Sequence, residues 1–186
     1  MGRRVVMNRR WAWVVAFAPS VSLGVVGGVA WWLAPPDLTP RVGLVPSMAA
    51  GLGLAGGLLL AAAWLERHLA SFRFVTRRTE WALRRLAPSR GTAMALTLVT
   101  SLGEEILFRG VLLHAFGLVP QAIVFGLLHP AGRRGWSYPV FTAVSGLALG
   151  ALVLWTGRLA PAVLAHVVIN GVGFVTARQP RRPVSM

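Results

Sequence analysis

The sequence predicts an all-α, polytopic membrane protein: a helical bundle of about six transmembrane helices with one further amphipathic helix at the membrane surface. Apolar residues make up 55% of the 186 residues, charged residues only 13%, and the mean hydropathy is +0.65. A soluble domain carries about 25% charged residues. The chain therefore has too few polar side chains to cover a soluble surface. It is also too hydrophobic for intrinsic disorder.

Apolar runs of about 20 residues are long enough to cross the ~30 Å hydrocarbon core of a bilayer as helices. Six such candidates follow one another along the chain, the fourth being short: 11–33, 42–65, 91–113, 118–128, 137–155 and 159–175. The first has the basic start of a signal peptide. Its apolar run continues past the Ala-Phe-Ala triplet that resembles a cleavage site, which favours a retained span.

The arginines are distributed unevenly between the loops. All 19 basic residues are arginine, and with five acidic residues the net charge is +14. If the amino terminus is cytosolic, sixteen arginines lie on the cytosolic side, while Arg41 and Arg158 lie on the other. Cytosolic loops of membrane proteins carry such an excess. The pattern predicts that both termini are cytosolic and that the charge serves orientation, so no nucleic acid partner is expected.

The predicted organisation has four parts. Residues 1–65 hold two amino-terminal spans, 66–90 form a cytosolic segment with seven arginines, 91–178 form the core, and 179–186 form a basic cytosolic tail. Within 66–90, leucine and phenylalanine recur at helical spacing, which indicates an amphipathic helix on the membrane surface. An arginine-rich linker held by anionic lipid is the alternative. Either form makes membrane lipids an expected partner.

Ionisable side chains inside a span are costly, so each of them is a functional candidate. Glu104 and Glu105 stand within the third predicted span, and Arg109 follows Glu105 by four residues. On a helix Glu105 shares a face with Arg109, whereas Glu104 is rotated from it by about 100°. The spacing predicts a structural Glu105–Arg109 pair and a separate carboxylate, Glu104, that suits a general base.

Two further motifs place histidines in predicted spans. Phe125 and His129 are four residues apart near the end of the fourth span, and His166 and Asn170 are four apart in the sixth. A lone histidine on an apolar helix is usually a satisfied core residue. Two of them beside an amide and an acid pair indicate a site. The chain has no cysteine, which excludes a cysteine nucleophile and thiolate metal ligands.

The motifs EExxxR, FxxxH and HxxxN occur in this order. The region from about residue 91 to 178 therefore resembles the CPBP family, the CAAX proteases and bacteriocin-processing enzymes also called the Abi family. The type II CAAX prenyl endopeptidases are one branch of it. The resemblance implies an intramembrane endopeptidase, with residues 91–178 as its catalytic core. Its substrate would be a protein or peptide with a hydrophobic or lipidated terminus, cleaved near that membrane-associated end.

The resemblance also implies a role for each motif residue. Glu104, helped by His129, would activate the hydrolytic water, and His166 with Asn170 would stabilise the oxyanion. The remaining motif residues would support the site: Glu105, Arg109 and Phe125. No cofactor is expected. Zinc held by Glu104, His129 and His166 stays open, since family members have been described both as metalloproteases and as metal-independent glutamate proteases.

Other functions remain as alternatives. A non-enzymatic membrane scaffold or bacteriocin-immunity protein of the same family would use the Glu105–Arg109 pair structurally. A rhomboid-type serine peptidase built on Ser145 and His166 would leave the glutamates without a purpose. Aspartyl proteolysis is excluded because the only aspartate, Asp37, stands in a loop. The absence of lysine is typical of a GC-rich genome, which indicates a bacterial cell membrane.

The predicted depths of the site residues conflict. In a straight third span, Glu104 would lie about 20 Å from the cytosolic face, at 1.5 Å per residue. His129 precedes a predicted cytosolic loop by only a few residues. For the two to meet, either the third span breaks near residues 101–103 or the fourth span is re-entrant.

Overall fold

A computed structural model of the protein describes residues 9–86 and 89–177, and these contain helices and no β-strand. The all-α helical bundle is confirmed. The predicted basic tail, 179–186, lies outside the described residues. The elements in chain order are α1 (Arg9–Leu33), α2 (Leu44–His68), α3 (Ala70–Leu86), α4 (Arg90–Glu105), a π-helical segment (Ile106–Leu112), α5 (Leu113–Phe116), α6 (Leu118–Leu127), a 3-10 turn (Arg133–Gly135), α7 (Ser137–Thr156) and α8 (Ala160–Ala177).

Two helices in the described part of the chain are long and apolar enough to cross a membrane, namely α2 and α7. Shorter apolar helices accompany them: Ala18–Leu33, Leu118–Leu127 and Ala160–Val175. Large apolar side chains also cover the outside of the bundle, with Trp32 81% and Val45 80% exposed. Such a surface suits lipid rather than water. The count of six crossings stays a prediction.

Glycines allow α6 and α7 to pack closely. A Cβ atom at Gly126 would lie 2.6 Å from the carbonyl oxygen of Pro139, and one at Gly146 would lie 3.2 Å from the Cα of Ala122. Small residues permit such backbone contact between membrane helices. Gln121 links the pair further by donating its Nε2 hydrogen to the Gly146 carbonyl oxygen over 3.0 Å. The end of α6 is therefore held firmly against α7.

Helix α1 packs against α4 and the π-helical segment in the same manner. A Cβ at Gly103 would lie 2.5 Å from the carbonyl oxygen of Ser20, and one at Gly110 would lie 2.5 Å from the Trp31 ring. The Ser20 hydroxyl also donates to Thr100 Oγ1 over 3.1 Å. The first predicted span thus braces the helix that carries Glu104.

Helix α3 has one buried face. Phe72 and Val75 are buried, and the Phe72 ring contacts the rings of Tyr138 and Phe141 on α7. The predicted amphipathic helix is present, but it begins at Ala70 because α2 continues to His68. Its position at a membrane surface stays a prediction.

Of the two alternatives for the meeting of Glu104 and His129, the structure does not have the break of the third span near residues 101–103. Helix α4 runs through them unbroken and widens into the π-helical segment only after Glu105. Helix α6 has ten residues, which at 1.5 Å per residue covers about 15 Å, half of the hydrocarbon core. After Glu104 the chain continues through the π-helical segment and α5, and α6 then runs back over a similar distance. This brings His129 back to the depth of Glu104.

Candidate active site

Three separate parts of the chain bring an acid and two histidines together. Glu104 is the last residue but one of α4, His129 follows α6, and His166 lies in the middle of α8. Glu104 Oε2 is 3.9 Å from His129 Nε2 and 3.8 Å from His166 Nε2. Glu104 and His166 are buried, and His129 is half-buried. The carboxylate therefore faces both imidazole rings within a water-bridged distance.

Glu105 joins two of the other site residues. Its Oε1 atom accepts a hydrogen bond of 2.8 Å from Arg109 Nη1, four residues along the helix as the spacing expects. The same oxygen lies 2.8 Å from His166 Nδ1. Glu105 and Arg109 are fully buried. The link to His166 was not visible in the sequence, because 61 residues separate the partners.

The hydrogen bonds of the histidines fix their tautomers. His166 Nδ1 faces the Glu105 carboxylate, and His129 Nδ1 lies 2.7 Å from the Phe125 carbonyl oxygen. Both partners accept hydrogen bonds, so each Nδ1 carries a hydrogen. In the neutral ring, Nε2 then presents a lone pair. Both Nε2 atoms face Glu104, which places three acceptors around one point.

These acceptors need a donor between them. Glu104 Oε2 is buried and has no hydrogen-bond partner among the described residues. Buried polar atoms in proteins are nearly always satisfied, because an unpaired one is costly. A water molecule can donate one hydrogen to Glu104 and the other to an imidazole. The arrangement is thus suited to holding and polarising a water.

Phe125 packs between the charged and imidazole groups. Its ring centroid lies 4.7 Å from that of His129 and 4.3 Å from Arg109 Cζ, and the Phe108 ring meets it edge-on at 4.8 Å. A guanidinium over an aromatic face is stabilised by the ring quadrupole. Phe125 therefore covers the Glu105–Arg109 pair and separates it from the half-buried His129.

Asn170 stands one turn beyond His166 and makes a different contact. Its Nδ2 atom donates to Ser101 Oγ over 3.1 Å, and Ser101 is buried on α4 one turn before Glu105. No contact in the described part of the chain joins Asn170 to Glu104 directly. The four proposed catalytic residues therefore comprise three in direct juxtaposition and one held beside them. Ser101 was missed in the sequence, although a serine four residues before Glu105 was a usable signal.

A cavity of about 390 Å³ opens beside the site between α2, α3, α7 and α8. Asn170 and Tyr138 both line it, and the Tyr138 ring lies 6.4 Å from the His129 ring. Its volume is within the range of small ligand sites. Tyr138 is the only tyrosine in the chain, yet no motif marked it.

The serine-peptidase alternative gains no support from the geometry. The Ser145 hydroxyl donates to the Phe141 carbonyl oxygen over 2.9 Å, which is an ordinary bond within α7. His166 directs its Nδ1 to Glu105 instead. The described residues contain no hydrogen bond between Ser145 and His166.

A zinc ion does not fit the donor atoms as they are placed. Ligands at about 2.0–2.2 Å in a tetrahedral site stand roughly 3.3–3.6 Å apart. The Glu104 Oε2 atom is 3.8–3.9 Å from the two Nε2 atoms, so the set is too wide. Across residues 9–86 and 89–177, no group of three histidine, aspartate or glutamate side chains is arranged as a metal site.

Comparison with known proteins matches part of the chain. Residues 88–172 fit the family model "Type II CAAX prenyl endopeptidase Rce1-like". Over 77 residues the chain is 35% identical to the uncharacterized protein YpbD of Bacillus subtilis (strain 168). That match covers 41% of this chain and 41% of YpbD, so the chain spans less than half the length of this relative. No solved structure matches.

The family match covers the sequence motifs and the site built from them. EExxxR, FxxxH and HxxxN all fall between residues 88 and 172, and the fold brings Glu104, His129 and His166 of these motifs together. Two helices of the same bundle, α2 and α7, are long and apolar enough to cross a membrane. Residues 88–172 of this membrane protein are therefore similar to the Rce1-like family of type II CAAX prenyl endopeptidases.

Proposed function

We propose that this protein is an intramembrane endopeptidase of the glutamate type. It hydrolyses a peptide bond near the membrane-associated terminus of a protein or peptide. The observation that carries the proposal is that Glu104 Oε2 lies close to the Nε2 atoms of two imidazole rings. The tautomer of each ring is fixed by the hydrogen bond of its Nδ1 atom. A buried carboxylate without a partner charge of its own has no evident structural use, but it is a suitable base.

Glu104 and His129 activate the water in this mechanism. Glu104 takes a proton from the water while the water oxygen attacks the carbonyl carbon of the scissile amide. The carbonyl π bond opens, and the electron pair moves to oxygen to give a tetrahedral intermediate. The C–N bond then breaks, and the proton passes from Glu104 to the departing amine. His129 orients the water through Nε2, because its Nδ1 is held by the Phe125 carbonyl.

His166 and Asn170 stabilise the oxyanion. His166 Nδ1 stays directed to Glu105 during the reaction, and a proton taken up at Nε2 lets this nitrogen donate to the oxyanion. Asn170 has two amide hydrogens, and Ser101 accepts only one of them. The second is available to the substrate oxygen. Fixed donors of this kind cost no reorganisation when charge develops.

The apolar surroundings favour a substrate with a hydrophobic or lipidated terminus. The cavity beside Asn170 has walls formed largely by leucine, alanine, phenylalanine and isoleucine side chains. Such walls suit an apolar chain segment that enters from the bilayer. No cofactor takes part in the proposal, and the bacterial cell membrane is the proposed location.

The alternative of a scaffold or immunity protein accounts for fewer of the contacts. It explains the buried Glu105–Arg109 pair, but it gives no reason for both histidines to face Glu104. Comparative proteomics of protein termini, in cells carrying wild-type protein or Glu104→Gln, tests the choice. If the protein is an endopeptidase, cells that carry Glu104→Gln should contain substrate termini that remain uncut. Identical termini in both cells would favour the scaffold.

We propose six crossings with both termini in the cytosol. Reporter domains fused after Arg41 and at the carboxy terminus should report opposite sides of the membrane, because the arginine excess holds the other loops inside. A fusion within α3 should report the same side as the carboxy terminus. Identical readings at Arg41 and the terminus would contradict the span count.

Peptide hydrolysis should survive removal of zinc. Because the donor atoms around Glu104 are too far apart for this ion, the rate of the purified protein should stay within about twofold after incubation with a zinc chelator. The same treatment of a zinc protease serves as the control. Loss of activity that added zinc restores would show that the site closes around a metal.

A further inference from the structure

Helices α4 and α8 are joined by two hydrogen bonds whose members have the same spacing on each helix. On α4 the members are Ser101 and Glu105, and on α8 they are His166 and Asn170. Glu105 Oε1 lies 2.8 Å from His166 Nδ1. Ser101 Oγ accepts a hydrogen bond of 3.1 Å from Asn170 Nδ2. Because residues four apart share a helix face, one face of α4 contacts both residues that the proposed function assigns to the oxyanion.

Ser101 cannot meet the substrate itself. Its side chain is fully buried, and it does not line the cavity beside the site, whereas Asn170 does. In the part of the chain that the structure describes, the hydroxyl of Ser101 has no hydrogen-bond partner other than Asn170. Any influence of Ser101 on the reaction therefore passes either through Asn170 or through the stability of the fold.

The side-chain amide of an asparagine has little orientation of its own. The torsion about its Cβ–Cγ bond is broad, so several amide directions have similar energies. The amide group is planar and carries both hydrogens on one nitrogen, so fixing the direction of one N–H bond also fixes the other. The hydrogen bond to Ser101 thus determines the direction of the second hydrogen of Asn170.

The serine is itself held firmly, because α4 is packed against α1 at the same level. A Cβ atom at Gly103 would lie 2.5 Å from the carbonyl oxygen of Ser20. The Ser20 hydroxyl donates to Thr100 Oγ1 over 3.1 Å. These contacts are made by residues on either side of Ser101 in the sequence. A site residue keeps its direction when the residues behind it are fixed in this way.

We propose that Ser101 is a positioning residue of the candidate active site, which holds the Asn170 amide so that its second hydrogen donates to the substrate oxygen. The inference rests on the proposed function for the identity of that oxygen. The alternative is that the bond from Asn170 only joins two helices, as polar contacts in membrane bundles do. The two explanations differ in whether the effect of Ser101 on the reaction needs Asn170.

A double-mutant cycle distinguishes the two explanations. In the otherwise wild-type protein, Ser101→Ala should lower kcat roughly 10- to 100-fold, which is less than the loss expected for Asn170→Ala. The KM should stay within about twofold, because the oxygen becomes a strong acceptor only in the transition state. In the Asn170→Ala protein the same serine change should alter kcat by less than about twofold, since the residue through which it acts is absent.

Ser47→Ala is the matched control. Ser47 is as fully buried as Ser101, but its hydroxyl donates to the Gly43 carbonyl oxygen at the start of α2. Its removal should leave kcat within about twofold of wild type, because the lost bond is local to that helix. Thermal unfolding shows which variants are folded. If Ser101→Ala does not fold, Ser101→Cys carries the test, because a thiol fills a similar space and is a weaker acceptor.

Nuclear magnetic resonance measures the position of the amide without any reaction. The chain has two asparagines, Asn8 and Asn170, so protein labelled with ¹⁵N at its asparagine side chains gives two pairs of amide hydrogen signals. The pair that disappears in Asn170→Ala belongs to Asn170. In Ser101→Ala this pair should move toward the chemical shifts of free asparagine, because its hydrogen bond is lost. In Ser47→Ala it should stay where it is in wild type.

A wild-type kcat in Ser101→Ala, an equal loss of kcat with and without Asn170, or an unchanged pair of Asn170 signals would each overturn the inference. Failure of the proposed function gives a different result. A wild-type protein that cleaves no peptide, while the Asn170 signals still move in Ser101→Ala, would refute the endopeptidase. It would leave standing that Ser101 fixes the amide.

Discussion

Replacing Glu104 with glutamine should lower the rate of peptide hydrolysis about 10²–10⁴-fold and leave folding unchanged. Glutamine keeps the shape of the side chain but cannot accept the proton of the attacking water. Because Glu104 makes no hydrogen bond in the described part of the chain, the substitution strands no partner charge. Initial rates of purified protein, together with its melting temperature, measure both effects.

The matched control for this change is Asp37→Asn, again an acid replaced by its amide. Asp37 lies in the loop between α1 and α2, so the hydrolysis rate of the Asp37→Asn protein should stay within about twofold of wild type. Asn170→Ala provides a graded comparison, since loss of one oxyanion donor costs about 10²–10³-fold. A Glu104→Gln protein with more than a tenth of the wild-type rate would remove Glu104 from the mechanism.

Replacing Arg109 with alanine should lower the amount of folded protein, because its main effect is on stability and not on the catalytic step. The change leaves the fully buried Glu105 carboxylate without its cation, and breaking such a pair costs about 3–5 kcal/mol. It also removes the guanidinium that packs against Phe125. Size-exclusion yield and the melting temperature in detergent should both fall clearly.

Two further variants separate charge from packing. Glu105→Gln combined with Arg109→Met removes both charges, so it should yield more folded protein than Arg109→Ala alone, because no uncompensated charge remains. Arg78→Ala is the matched control. Its side chain is exposed on α3, so stability should change by less than about 0.5 kcal/mol. If the Arg109→Ala protein had the yield and melting temperature of wild type, a structural role for the Glu105–Arg109 pair would be contradicted.

The sequence by itself determined the fold class and the local pairs. Composition and long apolar runs favour a helical membrane bundle, because an α-helix satisfies its backbone hydrogen bonds within its own segment in lipid. The Glu105–Arg109 contact follows from helical spacing, since residues four apart share a face. These features depend on neighbours in the chain, which local periodicity reports directly.

Only the tertiary structure decided how the motifs meet. The short α6 brings His129 to the depth of Glu104, whereas the sequence suggested a break in the preceding span as one solution. Contacts across 61 and 69 residues, from His166 to Glu105 and from Asn170 to Ser101, set the hydrogen-bonding state of the site. Such contacts arise from helix packing and leave no periodic signal in the sequence. The cavity that joins Asn170 to Glu66 depends on the same packing, because its walls come from four helices.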